Sequence, residues 1–251
     1  MVSVFGYGEP LMDRGLAQKI QYCSMEGLET FITTNAALLN PDIAFDLIEA
    51  GLSQIRFSAH GLGKANYEKV HRKLDYDIVM RNIANFISIN RMKKAPVITD
   101  VVVIPMNGEK VEDIKKHWEK HVDHLEIWRP HGWGGKCRYR KETERKLKTC
   151  GRLHNGPLQV QADGDVIPCC FLTDAEIVLG NTYKDKIVDI LRGNLYSELQ
   201  KRHETGNLSG LPCDKCDQRY ILDYNPLLYS DRDKGLNINR TSITKFKLNV
   251  E

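Results

Sequence analysis

The sequence predicts an α/β fold with parallel strands, followed by a smaller α+β region that carries most of the cysteines. Three observations lead there. Short apolar runs rich in branched residues alternate with helical patterns through the first 130 residues, polar residues recur just past each apolar run, and five of the seven cysteines lie beyond residue 149. Strands that alternate with helices pair in parallel through right-handed crossovers. Five strand–helix units are visible, fewer than a closed (β/α)8 barrel contains.

The predicted strands are Val2–Phe5, Thr30–Thr33, Gln54–Phe57, Val97–Ile104 and His124–Trp128. Between them, "LAQKIQYCSMEG" sets Leu16, Ile20 and Cys23 on one helical face and stops at Gly27. "NPDIAFDLIEAG" opens with Asn40 as cap and Pro41 in the first turn, then closes at Gly51. "DYDIVMRNIANFISIN" is the longest amphipathic run, with Ile78, Ile83, Phe86 and Ile87 as predicted core positions, and "VEDIKKHWEKH" gives a more exposed helix.

Past the five strands lie Gly6-Tyr7-Gly8-Glu9, Thr34-Asn35, Ser58-Ala59-His60, Pro105-Met106-Asn107 and Arg129-Pro130-His131. Ligands of parallel α/β folds sit at the C-terminal strand edge, so these polar stretches describe the rim of one site. Residues 131–149 read as a Gly-rich exit and a basic, solvated connector. "GPLQVQADGDVIPCC" then alternates apolar and polar residues around Asp163-Gly164, a hairpin signal. "EIVLGN" is a candidate further strand, "DKIVDILRG" and "LYSELQKRHETG" are short helices, and "LPCDKCDQR" is a loop. From about Asn225 the chain is polar without clear periodicity, which predicts an extended or partly disordered tail. The expected division is therefore a barrel-like domain over 1–135, a linker over 136–149, a cysteine domain over 150–225 and a tail over 226–251.

Thirty-six basic residues against 33 acidic leave a net charge of +3. No large single-sign field is implied, so neither a nucleic acid nor a membrane surface is expected as partner. No stretch approaches the roughly 20 apolar residues of a membrane span, and the first residues lack the basic start, apolar core and small-residue cleavage site of a signal peptide. The expected compartment is the cytoplasm. An odd number of cysteines in such a chain argues against a disulfide framework.

The Gly8-Glu9-Pro10 turn and the cysteine pattern together resemble the radical S-adenosylmethionine (SAM) enzymes, in the branch with a C-terminal SPASM or shorter twitch domain. Residues 7–10 are similar to that family's GGEP motif, with Tyr7 in place of the first glycine. The resemblance implies a partial (β/α)6 TIM-like barrel, of which this chain holds the second to sixth strands, followed by a small α+β iron–sulfur domain. It also implies that Gly6, Tyr7, Gly8 and Glu9 bind the amino group of SAM's methionine part. Physically, an ammonium group wants a carboxylate and backbone carbonyls within reach, glycine lets the backbone approach and turn sharply, and proline fixes the exit. "ITTNAALL" and "IRFSAHG" resemble the family's next two strand endings, which makes Asn35 and Ser58 further SAM-binding candidates. A cap or a turn-stabilising side chain is the alternative for each. His60 and His131 read either as substrate-facing or as hydrogen-bonded structure, and no residue reads as the catalytic acid or base.

Cys150 is followed by thirteen residues and Gly164, then by four residues and Cys169, which fits the family's SPASM opening. Cys213-Asp214-Lys215-Cys216 supplies the later Cys-x-x-Cys, and no cysteine follows it. The pattern is therefore closer to the twitch form, with one auxiliary 4Fe-4S cluster held by four thiolates. The implied ligands are Cys150, Cys169, Cys213 and Cys216, with Cys170 the rival of Cys169. Zinc stays open as the metal, because four thiolates with one Cys-x-x-Cys also suit tetrahedral coordination. Cys23 reads as a small core residue, and Cys137 has no partner that the sequence names.

The family's Cys-x-x-x-Cys-x-x-Cys loop, which holds the catalytic 4Fe-4S cluster ahead of the GGEP turn, does not occur in this chain. The expectation is an N-terminally truncated member, with the catalytic cluster present only in the full-length parent, because a strand starting at residue 2 would leave a sheet edge raw. A degenerate homologue is the alternative. By resemblance the parent enzyme would abstract hydrogen from a peptide or small-molecule substrate with a 5'-deoxyadenosyl radical. A reductant such as flavodoxin or ferredoxin would supply the electron, and the present chain alone would not cleave SAM. The competing readings are a zinc- or cluster-stabilised binding module and a non-catalytic partner protein.

Overall fold

The computed structural model describes residues 1–94, 97–106, 108–130, 132–137, 146–220 and 227–230. Two compact units divide at Arg129 and Pro130, and the strand Leu227–Ser230 returns to the first.

In the first unit, β1 (Val2–Ser3), β2 (Thr30–Thr34), β3 (Gln54–Ser58), β4 (Ile98–Val103) and β5 (His124–Trp128) pair in parallel in sequence order. The intervening helices are α1 (Leu16–Met25), α2 (Pro41–Glu49), α3 (Lys64–Val70), α4 (Tyr76–Met92) and α5 (Val111–Trp118). All five anticipated strands form, within two residues of the anticipated limits. Helix starts follow local chemistry: Asn40 Oδ1 accepts from Ile43 N at 2.8 Å, and Asp75 Oδ1 accepts from the amides of Asp77 and Ile78. Strand residues of one parity, among them Ile32, Ile55, Phe57, Val101, Val103, Leu125 and Ile127, join the helices in one apolar core.

The other parity of the sheet is polar and charged. Arg56 on β3 lies beside Asp100 on β4 (2.8 Å) and Glu126 on β5 (3.2 Å), all three largely buried. Its guanidinium sits 5.0 Å from the Phe31 ring centre and 5.6 Å from that of Trp128. One cation thus joins three strands, and the pairing that holds it also offsets the cost of burying two carboxylates.

Four features depart from the sequence reading. Ile78 is 40% exposed and Val79 is fully buried, because Val79, Ile83, Phe86, Ile87 and Asn90 form the inward stripe at helical spacing and Ile78 falls beside it. Cys23 is half-buried and lies outside the core that takes Leu16 and Ile20. Helix α3 was not anticipated; it is short and mostly polar, and it inserts the fully buried Tyr67. The anticipated tail contains the strand Leu227–Ser230, antiparallel to β5; the rest of that segment lies outside the described residues, as do 138–145 of the anticipated linker.

The second unit holds α6 (Arg152–Asn155), a three-stranded antiparallel sheet of β6 (Gln159–Val160), β7 (Asp165–Ile167) and β8 (Gly180–Asn181), and helices α7 (Ile187–Arg192) and α8 (Asn194–Thr205). The β6–β7 hairpin turns at Gly164, whose φ of +85° favours glycine. Tight turns at Pro212–Lys215 and Asp217–Arg219 carry the Cys-x-x-Cys segment. Among the described residues no helix is long and apolar enough to cross a membrane.

The burial pattern sets a test. Phe86, fully buried against Phe57, is expected to cost about 3–5 kcal/mol on replacement by alanine. Ile78→Ala is expected to change stability by less than about 0.5 kcal/mol. Urea denaturation monitored by circular dichroism measures both.

Candidate functional site

The polar rim of the first unit is organised by Glu9. Its carboxylate caps the turn Pro10–Met12 and reaches the end of β2. Oε1 accepts from Leu11 N (3.1 Å) and from the Thr34 hydroxyl (2.5 Å), and Oε2 accepts from Asn35 N (2.9 Å). A carboxylate has about four acceptor sites, so one direction remains for a further donor. Neither Gly6 nor Gly8 takes a left-handed φ, and a Cβ built on either meets nothing within 4 Å. The sharp turn is therefore made by Glu9 and Pro10, contrary to the expectation that the glycines make it. What the two glycines leave is open backbone beside the carboxylate. Tyr7 stands about half exposed between them.

Asn35 Oδ1 accepts from Ala37 N at 2.9 Å, and Thr34 Oγ1 accepts from Ala36 N at 3.0 Å. These turns hold Ala36 at a φ of +59°, and Asn82 from α4 donates to the carbonyls of Ala36 and Ala37. The Asn35 side-chain oxygen thus stabilises the rim loop. Ser58 closes β3 in a half-buried position.

The next two strand ends are stitched together. His60 Nδ1 accepts from Ile104 N at 3.1 Å, and His60 N donates to His71 Nε2 at 3.1 Å. The His60 and His71 rings stack, and Tyr67 stacks on His71. Burial, helped by His71, lowers the His60 pKa to about 4. Of the two roles open to it, His60 takes the structural one. Glu109 adds a clasp that the sequence reading missed: Oε1 accepts from Leu62 N and Asn66 Nδ2, and Oε2 accepts from Met106 N. Asn107 and His131 lie outside the described residues.

In the second unit, Cys150, Cys169, Cys213 and Cys216 line a single pocket. Two neighbouring segments bring the ends of this set together. Lys146 bridges Tyr220, Leu147 N donates to Arg219 O, and Arg219 Nε donates back to Leu147 O at 2.9 Å. The chain turns out of Cys150 into α6 through Gly151, left-handed at a φ of +76°, with Gly151 N donating to Thr149 Oγ1. The β6–β7 hairpin then returns Cys169 to the same walls.

Burial pushes the Cys213 thiol up to about 11 and the Cys216 thiol up to about 12, with the neighbouring Cys150 adding to both. In the adjacent pair, a hydrogen bond from Cys169 draws Cys170 toward the thiolate and raises Cys169, and Arg152 adds its charge to Cys170 at 3.3 Å. Cys170 is not part of the cavity lining. Among the described residues no three His, Cys, Asp or Glu side chains draw close enough to hold a single metal ion.

One further side chain faces this cavity without any sequence signal. His203, on α8, is 1% exposed, contacts Thr149 Oγ1 through Nδ1 at 2.9 Å and has no hydrogen-bond partner at Nε2 among the described residues.

Residues 2–117 match the profile of the Radical SAM superfamily, and residues 150–217 match that of SPASM, an iron–sulfur cluster-binding domain. The first of these segments is a radical SAM domain and the second a SPASM domain. A radical SAM domain takes SAM and a 4Fe-4S cluster, and a SPASM domain takes auxiliary iron–sulfur clusters. An uncharacterized protein of Methanocaldococcus jannaschii, MJ0804, is 26% identical over 151 residues, which are 60% of this chain and 49% of that one. The present chain thus spans about half the length of that curated relative. Two solved structures share the fold. The Streptococcus suis protein SuiB, bound to its precursor peptide SuiA, superimposes with a TM-score of 0.57 at 13% identity, over 77% of this chain and 54% of that one. BtrN in complex with AdoMet and 2-DOIA gives a TM-score of 0.52 at 17% identity, over 86% and 71%.

The neutral His60 of this radical SAM domain gives a pH test. Its pKa is lowered on folding, so the unfolded chain binds more protons as the pH falls below 6.5, and the contribution of His60 is lost toward about pH 4. Stability is expected to drop by about 2 kcal/mol from this group between pH 7 and pH 5. His60→Asn, which keeps an acceptor but does not titrate, is expected to flatten that part of the profile in denaturant titrations.

Proposed function

We propose that this chain is the SAM-binding and auxiliary-cluster portion of an enzyme that works on a peptide or a small molecule by radical chemistry. One observation carries the reading: four cysteines from three separate stretches of sequence share one pocket. In this reading Cys150, Cys169, Cys213 and Cys216 hold one 4Fe-4S cluster. Cys213 and Cys216, whose thiols burial holds protonated, would release those protons to a metal. The match of this segment to an iron–sulfur cluster-binding domain favours a cluster over zinc.

Gly6, Tyr7, Gly8 and Glu9 form the SAM cradle, with Asn35 and Ser58 beside it. Glu9 presents its remaining acceptor direction to the ammonium group, while its other hydrogen bonds keep the carboxylate from swinging away. Asn35 acts through the loop it braces, and Ser58 supplies a hydroxyl at the end of β3. His60 and Glu109 keep the adjoining strand ends in place. Bound together in the full-length parent, SAM and the catalytic cluster supply one-electron hydrogen abstraction, and the auxiliary cluster supplies a ligand for substrate or an acceptor for an electron. The two substrate classes are those seen with the structural neighbours, a peptide with SuiB and 2-DOIA with BtrN. A flavodoxin or ferredoxin is the proposed reductant, and the cytoplasm the proposed compartment.

The test is anaerobic reconstitution with iron and sulfide. The expected result is a brown protein with about four irons per chain, with most of that iron lost in Cys150→Ala, Cys169→Ala, Cys213→Ala and Cys216→Ala. Cys23→Ala, Cys137→Ala and Cys170→Ala are expected to keep it. A colourless protein with a single zinc, or iron indifferent to the first four substitutions, would overturn the proposal.

A further inference from the structure

We infer that His203 is a hydrogen-bond donor to the sulfur of the cluster held by Cys150, Cys169, Cys213 and Cys216, and that it raises the reduction potential of that cluster. The inference rests on the cluster reading of the cavity. It begins from an orphan atom. His203 is almost completely buried, it lines the pocket with the four cysteines, and its Nε2 has no hydrogen-bond partner among the described residues. Burying a polar nitrogen without a partner is costly, and native structures rarely do it. A sulfur-rich group in the cavity provides the missing acceptor.

Thr149 decides which ring nitrogen carries the proton. Its oxygen accepts the Gly151 amide at 3.0 Å and stands 2.9 Å from His203 Nδ1. The hydroxyl proton of Thr149 needs an acceptor, and the bare Nδ1 is within reach. Nε2 then bears the hydrogen and donates toward the cavity. The same threonine precedes Cys150, so one hydroxyl orients both the loop that presents a thiol and the ring that faces it. Burial and the nearby charges of Arg219, His154 and Arg202 keep the ring neutral, so it acts as a neutral donor. Arg219 itself is directed to backbone carbonyls of Leu147, Cys213 and Asp214.

A cluster in four thiolates becomes more negative on reduction. A fixed N–H donor at its sulfurs favours the reduced state and moves the potential upward. His203 is in this sense a positioning residue for electron transfer and holds no metal.

The experiment is an EPR-monitored redox titration of the anaerobically reconstituted 251-residue chain, which lacks the catalytic-cluster motif and so reports the auxiliary site. His203→Phe keeps a flat buried ring without a donor, and His203→Gln keeps an amide N–H at a similar distance from the backbone. Both are expected to retain wild-type iron content and circular dichroism. The Phe variant is expected to show a midpoint potential more negative than wild type, with the Gln variant close to wild type. Thr149→Val, which leaves the ring but frees Nδ1, is expected to give a smaller negative shift and serves where His203→Phe fails to fold. A fully loaded Phe variant with an unchanged midpoint overturns the inference, as does iron loss from folded Phe and Gln variants alike, which would make His203 a ligand. A wild-type chain that takes up no iron overturns the cluster reading and this inference with it.

Discussion

Bringing separate thiols to the walls of one pocket is the constraint around which the second unit is arranged. Two devices serve it. The segment entering Cys150 runs beside the segment leaving Cys216, tied by a backbone and a side-chain hydrogen bond between Leu147 and Arg219, and the hairpin at Gly164 returns the chain so that Cys169 lines the same pocket. Around this lies a modest core of Leu153, Val166, Ile167, Phe171, Leu172, Ile190, Leu199 and Leu208. Strands of two or three residues and helices of one to about three turns add little cooperative stability on their own. A group bound by all the thiols would therefore contribute directly to folding, since the unfolded chain offers no preformed site.

The first unit answers a different demand. Its parallel sheet needs helices on one face and leaves the other to polar work. Arg56, Asp100 and Glu126 crosslink three strands on that face, and Glu9, His60 and Glu109 fix the strand ends by accepting backbone amides. The rim is thus built from carboxylates and a neutral imidazole whose hydrogen bonds are largely internal. Such bracing lets Gly6 and Gly8 leave the backbone open, because the turn does not depend on them.

Much of this was legible because it is local. Strand–helix alternation located all five parallel strands, Asn40-Pro41 marked the start of α2, and Asp163-Gly164 marked the hairpin. The cysteine spacing singled out the four residues that share the cavity. What escaped depends on partners distant in sequence. Ile78 and Val79 are both apolar, and only the packing of α4 chooses between them. The strand Leu227–Ser230 acquires its pairing from β5, across most of the chain. Glu109 and His203 are single polar residues with nothing unusual beside them, and their roles follow from Leu62 and Thr149, which the fold brings near. The choice between Cys169 and Cys170 was likewise a matter of orientation: one lines the cavity, and the other meets Arg152.

Mössbauer spectroscopy of the chain loaded anaerobically with iron and sulfide addresses the cavity most directly, because it reports nuclearity and ligand type together. The result expected is one cubane cluster whose iron sites all have sulfur coordination. Mononuclear iron, or sites with oxygen or nitrogen ligands in place of thiolates, would contradict a four-cysteine cluster in this unit.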